Sequence, residues 1–173
     1  YKVVQSKLGC KFLVDAIATS PIHEIMYFYN GYNRMNNDGL VLTKRLLTEY
    51  TNKAIELHDP DQELINNLLL AITLRRLNEH EKGCKILDEN VLPKLFTLQN
   101  GKVKYIKKDN DPWAYPTAFY ERALFAWKEG GVDKLPEIRE WLVRGQNYAD
   151  DYELSTRISM KVKAALDRVE EAL

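Results

Sequence analysis

The residues with the most chemistry in them are His23 and the adjacent pair His58-Asp59. A histidine, a later His-Asp pair and a distant aspartate is the ligand order of helical metal-dependent phosphohydrolases, whose metal polarises a phosphoryl oxygen. The pattern is short and therefore weak, Asp59 directly before Pro60 is already explained as a helix-capping carboxylate, and a helix boundary is a poor place for two ligands that must point the same way. His80 reads as a turn residue. No nucleophile elbow, phosphate-binding glycine loop or zinc-ligand spacing occurs. Glu170-Glu171 and Asp150-Asp151 are chain neighbours, not opposed carboxylates. Cys10 and Cys84 each lack a second cysteine at ligand spacing and read as packing residues in a reducing compartment. The residues therefore point to no catalysis, no metal and no cofactor.

Binding chemistry is better represented. Lys102, Lys104, Lys107 and Lys108 surround Tyr105 and Ile106. Such a cluster can touch an anionic lipid surface or an acidic partner, at up to about 1 kcal/mol per lysine, although four charges on a connector are commonly just solvated. Aromatic residues concentrate at Tyr27, Phe28, Tyr29 and Tyr32, and from Trp113 to Trp127; helical spacing makes most of them core, at about 2 to 3 kcal/mol each. Over 173 residues, 25 basic and 25 acidic side chains cancel, so no bulk field draws the chain to nucleic acid. A 45% hydrophobic content with 8 glycines and 6 prolines fits one globular domain spanning 1–173. No stretch approaches the ~20 apolar residues that cross a bilayer. The opening Tyr1-Lys2-Val3-Val4 has neither an initiator methionine nor a secretory pattern, and the chain reads as a piece of a longer one.

The elements that would position these groups are helical. Val4, Leu8, Phe12 and Ile17 predict a first helix ending at Ser20-Pro21, where Ser20 as N-cap opens a second to about Met35. Asn36-Asn37-Asp38-Gly39 predicts a turn, and a third helix follows to His58. Asp59-Pro60-Asp61-Gln62 is a capping box, with the Asp59 side chain contributing ~1 kcal/mol. The helix it opens is followed by a turn at residues 78–80 and a helix that Pro93 ends or kinks. Residues 94–111 form a connector, in which the alternation at 102–106 is too short and lysine-rich to build a sheet. Asp111-Pro112 opens a helix that Gly130-Gly131 ends; another covers 133–144 with Pro136 in its first turn. Leu154, Ile158, Val162, Leu166, Val169 and Leu173 make the stripe of a closing amphipathic helix. Seven or eight helices of ~12 to 20 residues joined by short turns give an all-α fold.

A search for a period near 34 residues separates a bundle from stacked helical hairpins. Leu70-Ala71, Leu74, the turn, Gly83, Leu87 and Pro93 follow the tetratricopeptide order, with Asn90 where a small apolar residue is usual. Phe119-Tyr120, Ala123, Ala126-Trp127, Gly130, Leu135 and Leu142 are a weaker copy. Degenerate repeats are thus expected at about 61–93 and 113–147, and the fold as a tetratricopeptide-like solenoid with a C-terminal capping helix.

The sequence also resembles one particular family, the tetratricopeptide repeat protein 39 family, most closely its fungal branch. The likeness lies in the tyrosine-rich helix from His23 to Tyr32, the hairpin over 68–87, the approach from Lys102 to Trp113-Ala114-Tyr115-Pro116, and the closing Arg157-Ile158 and Lys163-Ala164-Ala165-Leu166. The resemblance implies the C-terminal part of a larger, non-catalytic interaction scaffold that supports clearance of protein inclusions. It also implies protein partners, lipid-droplet proteins among them, with locations in cytoplasm, nucleus, lipid droplet and mitochondrial outer membrane. Arg75, Arg76, Tyr120 and Trp127 fall where tetratricopeptide hairpins face their groove and are the expected protein contacts; arginines and aromatics are favoured anchors. The carboxylate-holding lysine and asparagine of some such grooves are replaced by Leu68 and Ile72, so an apolar or helical ligand is expected. The alternative is a structural cap of a solenoid with no binding site of its own. A piece cut from a solenoid would expose an apolar face on its first or second helix and self-associate.

Overall fold

A computed structural model describes residues 17–107, 110–148, 152 and 155–173. The predicted helix over 4–17 with Cys10, as well as Lys108, Asp150, Asp151 and Leu154, lies outside the described residues apart from Ile17, which is not helical. Residues 17–20 are irregular backbone held by the first turns of a later helix. Gln62 accepts from the Ala18 N–H, and Asn66 donates to the Ala18 carbonyl.

Helix α1, Pro21–Phe28, starts on its proline, but the Ser20 side chain does not cap it; the Ser20 carbonyl accepts from the His23 N–H at 3.0 Å instead. The expected single helix to Met35 breaks at Asn30, which is left-handed at φ 60°, before the short α2, Gly31–Arg34. Asparagine tolerates that conformation better than most residues, and the Asn30 N–H closes on the Tyr27 carbonyl at 3.1 Å. Asn36 to Gly39 is not a turn. Asn36 caps α3, Asn37–Glu56, by accepting from the Gly39 N–H at 2.9 Å, because the residues that favour turns also favour helix starts.

His58, at φ 53°, ends the α3 connection, and Asp59 caps α4, Pro60–Arg76, accepting from the Gln62 N–H at 3.1 Å. The predicted box takes a variant form: the Gln62 amide donates to the Asp59 carboxylate at 2.9 Å. Helix α4 is buried on nearly every side from Leu64 to Leu74, with the polar Asn66, Asn67 and Thr73 enclosed among its aliphatic residues. Asn78 in the left-handed region turns the chain into α5, His80–Ile86, which continues as a π turn, Leu87–Val91, and a 3-10 turn at Leu92–Lys94. Pro93 has no N–H for an α-helical bond, which fits the loosened end.

The connector contains a sheet after all. Strands β1, Phe96–Gln99, and β2, Lys102–Tyr105, pair antiparallel with Phe96 opposite Tyr105. Asn100 and Gly101 have φ of 52° and 76°, the positive values that a tight hairpin turn of this twist requires. Two such short strands are unstable alone; here Phe96 and Tyr105 lie 5.3 and 6.1 Å from the Phe119 ring, which anchors them to the helices.

Helix α6, Ala114–Gly130, begins two residues after Pro112 with Trp113 at its N-cap and no side-chain cap; Asp111, at φ 55°, supplies its carbonyl to the Ala114 N–H. Gly131, at φ 56°, ends it, and a 3-10 turn leads into α7, Leu135–Asn147, with Pro136 in the first turn as predicted. The closing α8, Ser155–Ala172, buries Ile158, Val162, Leu166 and Val169, whereas Leu173 is exposed.

Consecutive helices pack as hairpins, α3 on α4, α4 on α5, α6 on α7, and α8 covers α7 and α6. The result is an all-α stack of antiparallel helical hairpins closed by an amphipathic helix. It contains helices of 8, 4 and 7 residues that are shorter than the spacing suggested.

Candidate interaction groove

The stack leaves a trough between α6 and α8. Tyr120, Leu124 and Trp127 recur on α6 at spacings of four and three, beside the stripe that enters the core. Lys161, Ala165, Arg168 and Ala172 do the same on α8, and α7 supplies Leu135, Ile138 and Leu142 between the walls. The alanines keep the α8 wall low. The outer part is apolar, with a volume of about 330 Å³, and Trp127 at its edge is 47% exposed.

Its inner end opens into a second concavity of about 320 Å³, sharing Tyr120, Leu124, Ala165 and Arg168 and reaching down to Tyr27, Tyr32, Arg75 and Glu121. Arg75 Nε lies 2.9 Å from Glu121 Oε2, and their side chains are 14% and 1% exposed. Tyr27 donates to Glu121 Oε1 at 3.4 Å. The Lys161 ammonium stands 4.5 Å from the Tyr27 ring centre and 5.3 Å from that of Tyr120. Burial pulls the Lys161 pKa down and pushes those of Tyr27, Tyr32 and Tyr120 up, so the three phenols stay neutral near pH 7. Arg157 donates to the Phe28 carbonyl at 3.2 Å and lies over Tyr29, tying the start of α8 to the end of α1 beside this pocket.

The expected contact residues separate into two kinds. Tyr120 and Trp127 line the trough. Arg75 lines the inner pocket but is held by Glu121, and Arg76 donates to the carbonyls of Tyr32 and Asn33 at 3.2 and 3.4 Å, tying α4 to the end of α2. Leu68 and Ile72 are almost fully buried. Lys102 and Lys104 project from the outer face of the hairpin and Lys107 is exposed beyond it; Lys108 lies outside the described residues. Ile22 and Ile25 are exposed on α1, and Tyr29 is exposed directly after it.

The metal-site reading gathers no support. His23 is buried, with burial lowering its pKa; Asp59 is a cap; and among the described residues no three His, Cys, Asp or Glu side chains group to hold a metal. The Cys84 Sγ lies 3.2 Å from a Glu129 oxygen, and burial and that carboxylate push its thiol up to about 12, so it is not a thiolate near neutral pH. No helix among the described residues is long and apolar enough to cross a membrane.

Lys161, Arg168, Leu124 and Glu121 are the site residues that repeat-based reading misses. A glutamate inside the otherwise apolar face of α6 is the signal that could have found the last of them.

These features define a helical-hairpin repeat protein with an open trough on one side. A family profile described as Iml2/Tetratricopeptide repeat protein 39 matches residues 2–77. The chain is 66% identical over all 173 residues to the inclusion body clearance protein IML2 of Candida glabrata, covering 23% of that protein. It is 66% identical over 170 residues, 98% of this chain, to its namesake in Saccharomyces cerevisiae, again covering 23%. A Yarrowia lipolytica protein of the same name is 39% identical over 91% of the chain, which covers 23% of that protein. No solved structure matches. The chain belongs to the Iml2/Tetratricopeptide repeat protein 39 family and spans about a quarter of the length of these relatives.

Proposed function

We propose that this chain is a non-catalytic protein-binding module, requiring no cofactor, within a protein that supports the clearance of inclusion bodies. The observation that carries the reading is the trough itself: an apolar channel walled by Tyr120, Leu124 and Trp127 on α6 and by α8, open to solvent and continuous with a polar pocket. Grooves of this kind take an apolar peptide or helix face through a few anchors spaced along it. The names of the close relatives support the inclusion-clearance part. Partner capture by the full-length protein tests the reading: Tyr120→Ala with Trp127→Ala is expected to lose specific partners.

Association with lipid droplets and the mitochondrial outer membrane, alongside cytoplasmic and nuclear locations, rests on the family resemblance. Lys102 and Lys104 on one outer face of the hairpin favour direct contact with an anionic surface. Changing Lys102, Lys104, Lys107 and Lys108 to glutamate should cut co-flotation with phosphatidylserine liposomes severalfold. Unchanged flotation would leave recruitment by a bound protein as the route.

A further inference from the structure

The inner pocket holds more positive charge than its own carboxylate answers. Arg75 is matched by Glu121. Lys161 and Arg168 line the same cavity, and neither forms an ion pair with a carboxylate among the described residues. Three cations thus stand against one anion. For Arg168, which is exposed, water is counter-charge enough. Lys161 is different, because its ammonium sits over the Tyr27 and Tyr120 rings in a partly desolvated position. A ring face replaces only part of the hydration that an ammonium gives up, and the remaining deficit favours an incoming anion.

We infer that this pocket is an anion subsite which binds the carboxylate of an aspartate or glutamate carried by an apolar peptide segment lying in the trough. The inference rests on the trough being the binding surface. Lys161 and Arg168 stand seven residues apart on α8, on the order of 10 Å along its axis, so they face the inner pocket and its junction with the channel. An anion between them is therefore joined to an apolar body next to Leu124 and Trp127. A single negative charge suits the site better than a dianion such as phosphate, because the Glu121 carboxylate forms part of the same wall and repels the second charge. The neutral phenols of Tyr27, Tyr32 and Tyr120 add hydroxyl groups to the lining without adding charge.

The test uses small probes on the full-length protein carrying 5-fluorotryptophan, with the Trp127 fluorine signal assigned through Trp127→Phe. 4-Phenylbutyrate is expected to shift that signal at a concentration at least tenfold lower than its neutral amide, 4-phenylbutyramide. The preference should vanish in Lys161→Gln and shrink in Arg168→Gln, while both variants keep wild-type helicity. Inorganic phosphate should compete with phenylbutyrate only weakly. Equal response to acid and amide would overturn the anion subsite and leave the trough standing. Absence of any response to either probe would overturn the subsite as well, and the trough reading would fall with it only if partner capture were also insensitive to Tyr120→Ala and Trp127→Ala. Strong competition by phosphate would overturn the choice of a carboxylate.

Discussion

Glu121→Ala is expected to destabilise the protein by about 3–5 kcal/mol, read as a drop in the denaturant midpoint at constant slope. The reason lies in what it leaves behind. Arg75 is 14% exposed and faces Glu121 across 2.9 Å from a neighbouring helix; without the carboxylate its guanidinium is a buried charge with no counter-ion. The Tyr27 hydroxyl loses its acceptor in the same step. The pair as a whole should matter far less than either half, since apolar replacements of buried ion pairs are commonly neutral or better. Arg75→Met combined with Glu121→Leu should accordingly recover most of the loss. If the single and double variants were equally unstable, the pair would not be the cause.

Gly83→Ala should be destabilising by about 1–3 kcal/mol, although glycine-to-alanine inside a helix ordinarily gains about 1 kcal/mol. Helix α5 crosses α4 and α6 so closely here that an added Cβ would fall 2.8 Å from Phe125 Cζ and 3.0 Å from the Ala71 carbonyl oxygen. Phe125 is fully buried and cannot swing aside, and the carbonyl belongs to the backbone of α4. Gly145 on α7 is the internal control, because its nearest neighbour would be at an ordinary 3.4 Å. Thermal unfolding should show Gly83→Ala falling and Gly145→Ala holding or rising. A rise in both would mean that α5 does not pack as described.

Gly83 was readable in the sequence as the small residue of a repeat, and Asp59-Pro60 as a helix start, because each signal has one strong structural consequence. Asn36 was not, since a run of Asn-Asn-Asp-Gly suits a turn and an N-cap equally, and tertiary packing decides. The hairpin escaped for a related reason. Asn100-Gly101 announces a turn, but four-residue strands persist only because Phe96 and Tyr105 reach Phe119, a contact between distant parts of the chain. At the groove, repeat register led to Arg75, Arg76, Tyr120 and Trp127 alike, but not to the carboxylate that holds Arg75, because that partner lies 46 residues away. Lys161 and Arg168 stood outside both repeats, on a helix whose apolar stripe drew attention to its other face.

The central claim, that the trough between α6 and α8 is where this protein meets its partners, is tested most directly by comparative capture from cells. The full-length protein carrying Tyr120→Ala and Trp127→Ala would be compared with wild type, and with Val41→Ala and Ile55→Ala on the exposed side of α3, once circular dichroism shows equal helicity. The account predicts that specific partners disappear from the trough variant and remain with the α3 variant. Full retention of partners by a folded trough variant would contradict it and assign this part of the chain to capping the solenoid.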